Sequence, residues 1–95
     1  MKESSDVQIS QPLAREDLHF RQLQDGVALY DTSTDTIHTL NQVAAYIWTM
    51  CDGETTIDQM VDQLTSDTGV SRSTAEHDVR NTLRKFRAKK LLKEV

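Results

Sequence analysis

The apolar residues of this chain change their spacing once, at Asn41, and that change restricts the fold more than any other feature. Upstream, apolar and polar positions alternate over short runs, which is the period of a strand with one covered face. Downstream, apolar positions recur every three or four residues, the period of an amphipathic helix. In the first part, Leu18 and Phe20 alternate with His19 and Arg21, and Leu23 ends the run. Asp25-Gly26 is expected to supply the positive φ angles of a tight hairpin turn. Val27-Ala28-Leu29-Tyr30 then forms a second strand candidate, and the polar residues 31–35 a further turn. Thr36-Ile37-His38-Thr39-Leu40 is short and rich in β-branched residues, a third strand.

The helical part carries its own punctuation. Asn41 is a good N-cap, with Val43, Ala44, Ile47, Trp48 and Cys51 on one stripe behind it. Asp52-Gly53 stops that helix. Thr56 and Gln59 have capping-box spacing, and Ile57, Met60, Val61 and Leu64 follow at helical intervals. Gly69 is placed to end the second helix. Ser73 and Glu76 have the same box spacing at the head of a third helix, whose stripe is Ala75, Val79, Leu83 and Phe86. Leu91-Leu92 is expected to fold back onto the core. The expected class is α+β: a three-stranded antiparallel sheet followed by a three-helix bundle, winged helix-turn-helix-like. Residues 1–16 show no periodicity and read as a flexible arm, leaving 17–95 as the domain.

Ninety-five residues support one core, which leaves little room for a deep catalytic cleft. No apolar run approaches the ~20 residues of a membrane span. A lone cysteine, Cys51, and a polar N-terminus fit a cytoplasmic protein. His19, His38 and His77 lie on separate elements with no metal-ligand spacing, and Cys51 sits on an apolar stripe without a companion thiol or base. Three glycines do not make a phosphate-cradling loop. No enzyme activity, cofactor or metal is expected. Charge is uneven: from position 80 onward seven basic residues face one acid, Glu94, whereas fourteen acids outnumber four basic residues before it. Such an end suits an anionic partner, or simply complements a helix dipole. Residues 63–75 also look like a helix-turn-helix, so a winged helix DNA-binding regulator is the alternative reading. Glu76 and Asp78 would then sit where phosphates approach, while the arginines trail behind, so no nucleic acid is expected.

A further signal is the ordered set Leu29-Tyr30-Asp31, Ile37-His38-Thr39-Leu40-Asn41, Ala44-Ala45, Ile47-Trp48 and Cys51-Asp52-Gly53. It resembles the PqqD-like family, whose members share a Y-D … H-x-L-N … A-x-x-I-W … D-G pattern; Thr56-Ile57 and Asp78-Val79 extend the likeness. The resemblance implies a RiPP precursor peptide recognition element, a peptide chaperone that binds the leader of a ribosomally made precursor. It also implies a modifying enzyme as partner, with radical SAM proteins among such enzymes, in PQQ biosynthesis-like or other peptide modification. The leader is expected to add as a strand to the edge formed by Thr36, Ile37, His38, Thr39 and Leu40. The facing helix would offer apolar pockets at Val79 and Leu83, and Arg80, Arg84 and Arg87 for leader carboxylates; Val79, Leu83 and Phe86 could equally be core. An exposed edge invites self-pairing, so a monomer or weak homodimer is expected.

Overall fold

The computed structural model of the chain describes residues 11–93. Three strands, β1 (His19–Leu23), β2 (Gly26–Asp31) and β3 (Thr36–Asn41), precede three helices, α1 (Gln42–Thr49), α2 (Ile57–Thr68) and α3 (Arg72–Ala88). The sheet is an antiparallel meander in the order β1-β2-β3. Helix α1 packs on β2 and β3, and α2 and α3 pair with each other, with α1 touching α3. The core lies between the inner sheet face and the helices, with Leu29, Ile47, Met60, Val79 and Phe86 fully enclosed. The helices do not reach over β1. All five of its residues are exposed, including Phe20 and Leu23.

Local chemistry explains most element boundaries. Asn41 caps α1 by accepting from the Ala44 N–H at 2.8 Å. Thr56 and Gln59 close both arms of a capping box on α2. Gly69 ends α2 in the left-handed region at φ 75°. At α3 the expected box shifts. Ser71 is the cap, accepting from Thr74, because the chain is still extended there; Ser73 and Glu76 already lie within the first turns. The first hairpin also differs from expectation. Leu23 pairs with Gly26, so Gln24 and Asp25 form the turn and Gly26 opens β2. Glycine is required there by proximity: a Cβ would meet the Leu40 carbonyl oxygen at 1.9 Å.

Part of the segment expected to be a loose arm is tied down. Residues 1–10 lie outside the described residues. Beyond them, Ala14 N–H donates to Cys51 at 2.8 Å and Arg15 N–H to Leu91 at 3.0 Å, while Pro12 and Leu13 carbonyls accept from Gly53 and Lys93. The segment thus threads between the end of α1 and the chain's last described residues. Its backbone groups find partners that exist only once the helices are assembled, so no sequence period announces it. Arg15 locks the crossing: its guanidinium donates to buried Asp31 at 2.9 Å and to the Lys90 carbonyl at 3.0 Å, and pairs with Asp17. Among the described residues no helix is long and apolar enough to cross a membrane.

Candidate functional site

One edge of β3 pairs with β2, and its other edge has no partner strand among the described residues. A groove of about 380 Å³ opens beside that edge. Thr39, Leu40 and Asn41 form one wall, and Val43 and Ala44 of α1 close an end. The opposite wall is α3, through Asp78, Asn81, Thr82, Lys85, Phe86 and Lys89. The arrangement follows from helix geometry. Ala75, Val79, Leu83 and Phe86 turn into the core, so the neighbouring row, at i, i+3, i+4, i+7 and i+11 from Asp78, borders the groove. No hydrogen bond or ion pair engages the side chains of Asp78, Asn81, Lys85 or Lys89 among the described residues. Val43 has core spacing in sequence yet is 40% exposed, because it faces this opening. Leu40 points inward beside Val27; Ile37, three positions away, lies on the outer face and is 65% exposed.

The structure therefore separates the expected site residues into two sets. Thr36, Ile37, His38, Thr39 and Leu40 all lie on β3, whose outer edge has no partner strand among the described residues, and of the five Thr39 and Leu40 line the groove. The groove row lies about 100° around α3 from the core stripe that holds Val79 and Leu83, and Arg80, Arg84 and Arg87 lie about as far round on the other side of that stripe. Val79 and Leu83 are buried in the core and offer no pocket. Arg80 pairs with Glu76 at 3.2 Å, and neither it nor the exposed Arg84 borders the groove. Arg87 is half-buried and also off the groove lining. The family resemblance implied the arginines, whereas angular position on α3 brings Lys85 and Lys89 to the groove. In sequence both rows beside the apolar stripe qualify, and only packing decides which of them borders the groove.

Elsewhere the chemistry is quiet. Burial pushes the Cys51 thiol up to about 12, with the Asp52 charge adding to it, so the thiolate is scarce at neutral pH. Among the described residues no group of three His, Cys, Asp or Glu is placed to hold a metal. At the head of α3, where a recognition helix would read DNA, Arg72 is held by Asp62 and lies 3.9 Å from Asp58. Arg72 is thus already engaged by acids of the chain itself, which weakens its attraction for a phosphate.

Comparison with known proteins places this geometry. The family described as Coenzyme PQQ synthesis protein D (PqqD) matches residues 26–92. A solved structure of TbiB1 in complex with the TbiA(beta) leader peptide is similar, with 26% identity over 87% of this chain and 96% of that one and a TM-score of 0.76. A second, lasso peptide synthetase B1 complexed with the leader peptide, shares the fold at 24% identity, covering 90% and 100%, with a TM-score of 0.74. No curated protein matches the chain.

Proposed function

The chain belongs to the PqqD family, and from that premise we propose that it is a non-catalytic peptide-binding module. It binds the leader of a ribosomally synthesised precursor peptide and presents it to a modifying enzyme, with radical SAM proteins among the candidate partners. The observation that carries this reading is the unpaired β3 edge bordered by a groove with unengaged polar side chains. The two similar structures are complexes with leader peptides, which supports the same use of the fold here.

The mechanism is strand addition. An extended leader docks on the free edge of β3 and shares main-chain hydrogen bonds with it. Each such bond contributes about 0.5–1.5 kcal/mol net. Side chains of the added strand then alternate. One set enters the groove against Val43 and the exposed row of α3, and the other lies beside Ile37 on the outer face. Ordering a flexible leader costs free energy, which keeps the complex reversible and lets the peptide pass onward. The lone cysteine fits a reducing compartment, and we place the module in the cytoplasm.

An NMR titration of the labelled domain with the leader of a candidate precursor tests this. Shifts are expected in residues 36–41, Val43 and the groove row of α3. Silence with peptide, together with shifts around residues 71–77 on adding duplex DNA, would overturn the reading.

A further inference from the structure

We propose that the groove reads charge along its length, selecting an extended peptide with a basic side chain near Asp78 and an acidic one near Lys85 and Lys89. This rests on strand addition at β3 and adds to it the class and orientation of the peptide.

Three observations carry it. The first is the arrangement of the wall. Asp78, half-buried, stands at one end of the groove row of α3, and the exposed Lys85 and Lys89 lie two and three turns further on. Their charged groups have no partner among the described residues, whereas Arg72 and Arg80 on the other faces of α3 are engaged by acids of the chain itself. A charge already paired contributes little to selecting a ligand, and an unpaired one bordering a groove contributes more.

The second is direction. Arg15 joins the Lys90 carbonyl just beyond α3 to Asp31, and Asp31 is the register partner of Thr36. The lysine end of α3 therefore sits at the start of β3. With the lysine end set there, the row runs back from Lys89 to Asp78 along a groove whose other wall is Thr39, Leu40 and Asn41, which on this reading puts Asp78 at the Asn41 end. Because the sheet is wholly antiparallel, an added strand is expected to run antiparallel to β3. Its N-terminal part then lies near Asp78, and its C-terminal part near Lys85 and Lys89.

The third is spacing. Along α3, Asp78 is roughly 10 Å from Lys85 and 16 Å from Lys89 at 1.5 Å per residue. Four residues of extended chain span about 13 Å and return a side chain to the same face. The preferred peptide thus carries Lys or Arg at one position and Asp or Glu four residues later.

Selection from a displayed library of random ten-residue peptides, at low salt, tests the proposal. The wild-type domain is expected to enrich a basic residue followed four positions later by an acidic one. The Lys85→Glu/Lys89→Glu double variant should lose the acidic preference and bind a wild-type-selected peptide roughly five- to tenfold more weakly, since exposed pairs contribute about 0.2–1 kcal/mol each. Lys85→Gln/Lys89→Gln, which reverses no charge, should show a smaller loss of the same kind. Both lysines are exposed at the C-terminal end of α3, so the glutamine pair should stay folded with a slightly lower denaturation midpoint and the glutamate pair, which opposes the helix dipole, with a somewhat lower one. Peptides that shift β3 and α3 resonances but show no charge bias, a reversed order, or the same bias with both variants would overturn the charge reading and leave strand addition standing. A library that yields no binder, or binders that shift other residues, would overturn strand addition, and the charge reading with it.

Discussion

Trp48 and Phe86 meet edge to face at a centroid distance of 5.5 Å, joining α1 to α3 at the back of the groove. Trp48 is 8% exposed, so Trp48→Ala should cost roughly 3–5 kcal/mol and lower the denaturation midpoint. A stable variant that lost only peptide binding would show the indole to be a contact rather than core. Leu83→Asp would suggest itself as a probe of the groove, but Leu83 is buried, so an aspartate there is expected to unfold the domain rather than report on the ligand. Asp31 sets the pH response. Hydrogen bonds from Ser33, and then from Arg15, hold its carboxyl far below the ordinary carboxylate range. A depressed carboxylate contributes stability above its unfolded value, about 4, and loses it as pH falls toward the folded value. Denaturation midpoints should therefore fall steeply below about pH 4, and Asp31→Asn should be weaker at neutral pH with a shallower acid slope.

At the scale of elements, the end of α3 is built against residue preference. Leu91 N–H donates to Phe86 at 2.8 Å and Lys90 N–H to Arg87 at 3.0 Å, the paired bonds of a Schellman cap. The position that normally holds glycine is Lys90, at φ 59°. Burial of Leu91 and Leu92, immediately after it in the chain, holds the turn in place despite that preference. Lys90→Gly is expected to stabilise the domain by up to about 1 kcal/mol in chemical denaturation, as left-handed strain is relieved. Gly26→Ala should act in the opposite sense. Its methyl group would collide with the backbone of β3, at a cost of roughly 2 kcal/mol or more. Element types were readable from sequence because the periods, caps and stop residues agree with one another. The glycine of the first hairpin was visible too. Its reason was not, since the Leu40 carbonyl comes near Gly26 only after β2 and β3 pair.

In the whole molecule, the covering of β2 and β3 by helices, with β1 left bare, makes one free edge part of a groove and the other merely exposed. Ile37 lies on the outer face of the edge proposed to receive the peptide. Ile37→Thr should weaken peptide binding a few-fold without changing the unfolding midpoint, because its side chain is already mostly in water. Binding by strand addition should also fall only modestly between 50 and 200 mM salt, far less than phosphate recognition would. Sequence alone determined the order of strands and helices, the free third strand and the membership of α3 in the core, because periodicity and capping are local properties of the chain. It could not determine which face of α3 borders β3, or that Val43 stays uncovered and residues 12–15 are pinned. Those depend on how helices rotate and cross over a sheet, and on hydrogen-bond partners far away in the chain. A rotation of one residue about α3 separates the buried Val79 and Leu83 from Asp78, Asn81 and Thr82 in the groove, and only packing selects it.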